Sequence, residues 1–144
     1  MFFGRVLPFD GDKLKLTMDD ILLMNALEKI SGVSAKDCIT SENLVSFLVK
    51  EGDVGKAIGK GASNVKMLEQ RLNKRVEIIG WQEKPEDTAS KALELNFSAV
   101  KANEGKLVLS MDPLSRRAAM KNSARTKRVK EFIKRNYGLE VILV

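Results

Sequence analysis

The segment GKAIGKGASNV, from Gly55 to Val65, contains three glycines and two lysines within eleven residues. Glycine lets a backbone come close to a ligand, and lysine supplies positive charge. The apolar residues that follow at Leu68 and Leu72 continue a helical spacing from Val65 and predict a helix. The first turn of such a helix offers unpaired N–H groups and the positive end of the helix dipole. The segment is therefore suited to holding a phosphate group.

Two nucleotide-binding loops have similar glycine patterns, and both fail here. A mononucleotide P-loop needs one more residue between its glycines than Gly55 and Gly59 allow, and Gly61 stands where its magnesium-binding hydroxyl belongs. A dinucleotide-binding turn would use these three glycines, with Glu77 as the ribose ligand. That reading requires more parallel strands and crossover helices than the rest of the chain supplies. The phosphate therefore belongs to another kind of ligand.

The composition argues against catalysis. The 144 residues are 44% hydrophobic, enough for one ordinary domain or two very small ones. Histidine is absent and Cys38 is the only cysteine, which removes the usual general base, the common nucleophile pairs and most zinc ligands. We expect no enzyme activity, no catalytic residue, no metal and no cofactor. No internal apolar run approaches the roughly 18 residues of a membrane span, which predicts a cytoplasmic protein without a membrane partner.

Positive charge is concentrated in residues 113–136, which hold nine basic side chains against one acidic residue, Glu131. The rest of the chain is slightly acidic. A solvated helix face is the ordinary reading of a charge run, but such a face usually intersperses acids because like charges at helical spacing repel. The imbalance favours contact with a polyanion such as a phosphate backbone.

The first half of the chain reads as a leader followed by a helix, two strands, a short helix, the glycine loop, a longer helix and a strand. Residues 1–16 form the predicted leader, with a turn at Asp10–Asp12. Thr17 is the expected N-cap of the first helix, and Gly32 ends it. The later elements are expected at 36–40, 43–49, from 63 or 64 onward, and 75–80.

The second half repeats this order. A helix is expected from Pro85 to Leu93, strands at 97–103 and 106–111 around a Glu104–Gly105 turn, then a short helix, the long basic helix and a final strand. A shift of 61 residues places Leu48, Lys60 and Leu68 on Leu109, Lys121 and Val129. The final strands of the two halves align when the second half is lengthened by two residues before its strand. The chain is thus predicted to contain two copies of one unit of about 60 to 65 residues.

The loop resembles that of the KH domain, a small RNA-binding module whose signature I-G-x-x-G-x-x-I/V lies between two helices. Ile58, Gly59 and Val65 occupy this signature, whereas Ala62 replaces its closing glycine. Since that position opens a helix, we expect alanine to be tolerated conformationally. The element order resembles the type II arrangement. The resemblance implies an α+β fold of two tandem type II KH domains, at 17–81 and 85–144, each a three-stranded mixed sheet packed against helices.

The stretches KLTMDDILLMNALEKISGVSAKDCI and LVKEGDVGKAIGKGA, with the tandem repeat, resemble the archaeal NusA family of transcription termination and antitermination factors. This resemblance implies a protein that binds single-stranded RNA and acts with the RNA polymerase elongation complex. A ribosome- or RNA-processing-associated KH protein is the alternative.

The predicted RNA-binding residues fall in both units. The second unit has Met120-Lys121-Asn122-Ser123 where the first has its glycines, so we expect the first loop to clamp the RNA backbone and the second unit to add mainly electrostatic attraction. In the first unit the residues are Lys56, Ile58, Gly59, Lys60, Gly61, Ala62, Asn64, Val65 and Lys66. In the second unit they are Arg116, Arg117, Lys121, Asn122, Ser123, Arg125, Lys127 and Arg128.

Overall fold

A computed structural model describes residues 16–144 of the chain. The predicted leader up to residue 15, with its turn at Asp10–Asp12, lies outside the described residues. The described chain divides into two compact units, Leu16–Gln82 and Glu83–Val144. Between residues 16 and 144, no helix combines the length and the apolar character needed to cross a membrane.

The first unit follows the predicted order of elements. Thr17 caps helix α1 through a capping box with Asp20, and Gly32 ends the helix in the left-handed conformation, with φ +76°. Both ends are therefore as predicted. The elements are α1 Met18–Ser31, β1 Asp37–Thr40, β2 Leu44–Lys50, α2 Val54–Ile58, α3 Ser63–Leu72 and β3 Arg75–Trp81.

The sheet of the first unit has the order β1-β2-β3, with β2 antiparallel to β1 and parallel to β3. Val45, Phe47 and Val49 alternate along β2 and point to the same apolar cluster, as the two-residue period of a strand requires. Leu27 of α1 and Leu68 of α3 complete this core. The three helices of the unit contribute to one cluster, which holds the loop between α2 and α3 in place.

The second unit repeats the order. Its β4–β5 hairpin turns at Glu104–Gly105, where both residues have positive φ, as predicted for a two-residue turn. Asp112 caps α5 by accepting the Ser115 N–H at 2.7 Å. The elements are α4 Pro85–Leu93, β4 Phe97–Asn103, β5 Lys106–Met111, α5 Pro113–Lys121, α6 Ser123–Tyr137 and β6 Glu140–Leu143.

The second sheet has the order β4-β5-β6 and the same mixed pairing, antiparallel and then parallel. Helix α6 buries Val129, Phe132 and Ile133. A hydrogen bond of 2.8 Å joins the hydroxyls of Thr88 and Tyr137, so α4 is fastened to the end of α6. The α+β fold class, with two three-stranded mixed sheets packed against helices, is confirmed.

The pairing register corrects the predicted repeat. Leu44 and Lys106 begin β2 and β5, and each pairs with the first residue of the parallel strand beside it. The two positions are 62 residues apart, not 61. Neighbouring residues of a strand face opposite sides of the sheet. A difference of one residue in the shift therefore decides which side chain of β2 corresponds to a given side chain of β5. Leu109 therefore corresponds to Phe47, not to Leu48.

The segment between the hairpin and the final strand is longer in the second unit, and the extra residues lie in its long helix. Helix α3 has 10 residues and α6 has 15. The following strands begin at Arg75 and Glu140, which are 65 residues apart. The final strand is thus displaced by three residues more than the hairpin, whereas the sequence predicted two. Extra length at the end of a helix is not detected by matching apolar positions, because the helical period continues through it.

Candidate nucleic-acid interface

The glycine loop is a tight connection between α2 and α3. Helix α2 ends at Ile58, and Gly59 turns the chain with φ +82°. The Gly59 N–H donates to the Gly55 carbonyl at 2.9 Å, and the Ala62 N–H donates to the Gly59 carbonyl at 3.0 Å. These bonds close one short turn at Lys60–Ala62, after which α3 begins. The loop therefore has a defined shape of its own.

Gly59 is required by the loop itself. A Cβ at this position would lie 2.8 Å from the Cγ and Nδ2 of Asn64 and 2.8 Å from the Oγ of Ser63. The Asn64 side chain is held there because its Nδ2 donates to the Lys56 carbonyl at 3.0 Å, which links the start of α3 to α2. Gly59 and Asn64, both predicted to bind RNA, thus determine the shape of the loop.

Gly61 is different, because its surface is open. It has φ +61°, and no described atom outside its chain neighbours lies within 4 Å of the position that a Cβ would occupy. A ligand can therefore approach its backbone closely. Ala62 also has φ +61°. The expectation that alanine is tolerated conformationally here is wrong, since the residue does not adopt right-handed helical angles and its Cβ makes the left-handed region costly.

The lysines and apolar residues of the loop lie within a few residues of this open backbone in the chain. Lys56, Lys60 and Lys66 are exposed. Ile58 and Val65 are half-buried, and neither belongs to the core cluster of the first unit as described. Both side chains are therefore available to line a surface groove beside the loop. The predicted residues of the first unit come together around one short segment of chain.

The second unit has no comparable loop. Helix α5 continues to Lys121, and Asn122 alone separates it from α6, with φ −106° and ψ 47°. The Asn122 N–H donates to the Ala118 carbonyl at 3.2 Å, and the Asn122 carbonyl accepts the Thr126 N–H at 2.9 Å. The junction is nearly continuous helix, so its backbone groups bond within the chain rather than to a ligand.

A groove lies beside this junction. It has a volume of about 450 Å³, and Met111, Ala119 and Leu143 form its apolar surface. Lys127 and Lys130 stand along it from α6. Lys130, like Met111, was not among the predicted binding residues. The sequence feature that could have identified Lys130 is its position three residues after Lys127, since residues three apart on a helix share a face. Arg116, Met120, Ser123 and Thr126 also line the groove.

Not all the predicted basic residues present their charge to this groove. The Arg125 Nε donates to the Ala92 carbonyl at 2.9 Å, which ties α6 to the end of α4. Arg116, by contrast, lines the groove, and its guanidinium donates to the Met111 carbonyl there at 3.3 Å. The pKa of Asp112 is lowered, chiefly because its carboxylate accepts the backbone N–H of Ser115. Arg117, Lys121 and Lys127 are exposed, as are Asn122 and Ser123, and Arg128 is half-buried.

A sequence model of the KH domain matches residues 23–104. Three curated relatives carry the name "Probable transcription termination protein NusA". The protein of Methanocaldococcus jannaschii is 45% identical over 71 residues, which are 49% of this chain and 39% of that protein. The protein of Methanococcus vannielii is 37% identical over 71 residues, 49% of this chain and 41% of that protein. The protein of Halococcus morrhuae is 35% identical over 68 residues, 46% of this chain and 49% of that protein.

The matched regions span less than half of the length of each of these curated relatives. The crystal structure of APE1850 is similar to this chain with a TM-score of 0.77 and 26% sequence identity, covering 90% of this chain and 100% of that one. The family match extends over more than half of the chain and includes the loop from Gly59 to Ala62. This chain, which is similar to archaeal NusA proteins, belongs to the KH domain family.

Proposed function

We propose that this protein binds single-stranded RNA and that the loop of the first unit clamps the RNA backbone. The open surface of Gly61 is the observation that carries the proposal. A phosphodiester can approach that backbone without meeting a side chain, while Lys60, the residue before Gly61, is exposed. The positive end of α3 begins two residues later, where an anion is favoured.

The second unit contributes attraction and a groove for bases. Its junction offers few free backbone groups, so it does not clamp phosphate as the first loop does. The exposed Arg117, Lys121 and Lys127 attract the polyanion, and the apolar surface at Met111 and Leu143 suits a base plane. Neither role requires catalytic chemistry, and we propose a binding protein rather than an enzyme.

Aspartates at Lys60 and Gly61 test the clamp. The double substitution places repelling charge where the phosphate passes, and fluorescence anisotropy with single-stranded RNA should show at least a tenfold loss of affinity. Lys50→Asp with Gly52→Asp is the matched control. It makes the same charge change in the same unit, at exposed positions beyond the other end of α2. Equal losses in the two variants would contradict a specific role for the loop.

We further propose that the RNA is bound during transcription, in termination or antitermination, with the RNA polymerase elongation complex as partner. The names of the archaeal relatives support this context. Purification of the tagged protein from its own cells, with mass spectrometry of what accompanies it, is the test. RNA polymerase subunits are the expected result. Ribosomal proteins or RNA-processing factors in their place would favour the alternative assignment.

A further inference from the structure

The edge strand of the first sheet carries one unusual hydrogen bond. In β3 the Arg75 N–H donates inward, to the Asn43 carbonyl at 3.0 Å. Backbone groups of successive residues point to opposite sides of a strand, so the Val76 N–H points away from the sheet. It donates to Oε2 of Glu69 at 3.0 Å. A carboxylate from α3 thus occupies the outward N–H that an edge strand would otherwise offer to a ligand.

Glu69 occupies the place on α3 that corresponds to Lys130 on α6, at the 61-residue shift that relates the buried Leu68 to the buried Val129. It follows Leu68, the buried residue of α3, just as Lys130 follows the buried Val129 of α6. Lys130 lines the groove of the second unit. The two units therefore present opposite charge at matching places on their long helices. Glu69 is half-buried, so its side chain remains accessible from solvent.

The carboxylate changes what this position can recognise. An ionised carboxylate only accepts hydrogen bonds, and it has about four acceptor sites, of which Val76 uses one. Without Glu69, the strand would offer a donor here; with it, the position offers an acceptor. Cytosine presents an exocyclic amino group to such an acceptor. Uracil presents a carbonyl oxygen at the same place, and its imino N–H lies between two carbonyl oxygens that a carboxylate repels.

We propose that Glu69 is a specificity-determining residue of the first unit, which selects bases with an exocyclic amino group and disfavours uracil. The proposal rests on RNA binding as proposed above. It assigns base selection to a side chain of α3 rather than to the loop, which contacts only the backbone. It also gives the two units different base preferences, since the second has a lysine where the first has this carboxylate.

Glu69→Gln tests the proposal with little structural cost, because the amide oxygen can still accept the Val76 N–H. Affinities for oligocytidine and oligouridine of equal length are measured by fluorescence anisotropy. The unsubstituted protein should prefer oligocytidine by roughly tenfold, the size of one hydrogen bond to a charged group, and the variant should bring the ratio close to one. Lys130→Gln is the control. It should weaken both complexes similarly and leave the ratio unchanged.

A second measurement locates the effect. In ¹⁵N-labelled protein, oligocytidine should shift the Val76 amide resonance, and this shift should diminish in Glu69→Gln. A ratio near one in the unsubstituted protein, or the same ratio in Glu69→Gln, would overturn the proposal while RNA binding itself stood. Absence of binding to either oligonucleotide would overturn the proposed function and this inference with it.

Discussion

Gly59 and Gly61 lie two residues apart and serve different purposes. Gly59 gives Asn64 the space to hold α2 and α3 together, and Gly61 keeps a backbone surface open. A glycine pattern in a sequence cannot distinguish these roles, because both require the absence of a Cβ. The distinction matters for mutagenesis, since a side chain at Gly61 meets only an unfavourable backbone conformation, whereas one at Gly59 also meets Asn64 and Ser63.

Gly59→Ala should destabilise the first unit by about 2–3 kcal/mol, because the methyl group meets Asn64 and Ser63 in a backbone region that alanine avoids. Gly61→Ala should cost about 1–2 kcal/mol, since only the backbone conformation is unfavourable. Denaturant unfolding followed by the fluorescence of Trp81, the only tryptophan, measures both. Equal costs would show that the contacts at Gly59 are unimportant.

Ala62→Gly should stabilise the first unit by up to about 1 kcal/mol. Relief of the left-handed backbone is worth about 1–2 kcal/mol, and the greater freedom of glycine in the unfolded chain offsets part of it. The same Trp81 unfolding curve measures the change. A loss of stability would mean that the Ala62 methyl group contributes contacts that outweigh the backbone strain.

At the scale of elements, the long helices carry the difference between the units. Helix α6 exceeds α3 by five residues, and its basic residues divide between those that bind within the protein and those that face solvent. Arg125 donates to the last turn of α4, whereas Lys127 lies along the groove. Because residues two apart on a helix point in nearly opposite directions, α4 can pack against the side that carries Arg125 while Lys127 stays at the groove.

Arg125→Gln and Lys127→Gln should therefore differ. The first should destabilise the second unit by about 1 kcal/mol through loss of the bond to Ala92, and the second should leave stability unchanged. Lys127→Gln should reduce the slope of log affinity against log salt by up to roughly 0.7, one phosphate contact on single-stranded RNA. Thermal unfolding and anisotropy at several salt concentrations provide the two measurements. A reversed pattern would contradict the assigned roles.

The cap of α5 predicts acid sensitivity in the second unit. The pKa of Asp112 is lowered by the Ser115 N–H and further by Arg116. The stability that the Asp112 carboxylate adds to the folded unit is therefore fully present above the pKa that this group has in the unfolded chain. It is lost as the pH falls through the folded pKa, where the carboxylate is protonated. Asp112→Asn should therefore flatten the fall in stability at acid pH. Thermal unfolding between neutral pH and pH 3 follows this, and an unchanged slope would exclude Asp112 as a contributor.

At the scale of the whole molecule, each unit has its own sheet and its own apolar core. We therefore propose that each is a KH domain able to fold alone. The fragments 16–82 and 83–144 should each unfold cooperatively. Trp81, whose ring lies 4.3 Å from the Lys36 ammonium, reports on the first fragment, and Tyr137 reports on the second. Fragment 16–82 should retain the effect of the Lys60 and Gly61 substitutions on RNA affinity. A fragment without a cooperative transition would contradict independent folding.

The sequence by itself determined the order of elements and the position of the loop, because these follow from local signals, and the resemblance to the KH domain implied the α+β class. Thr17, Gly32, Pro85 and the Glu104–Gly105 turn each end or begin an element through contacts within a few residues. The alternation along β2 and the helical spacing in α3 are equally local. Such features do not depend on how distant segments meet.

Only the tertiary structure decided which side chains are committed to other parts of the chain. The shift of 62 residues depends on strand pairing, and the roles of Asn64 and Arg125 depend on carbonyls 8 and 33 residues away. The bond from Val76 to Glu69 likewise requires α3 to lie against the edge of β3. Composition and spacing report what a residue can do, and the packing of separate segments decides which of those interactions is made.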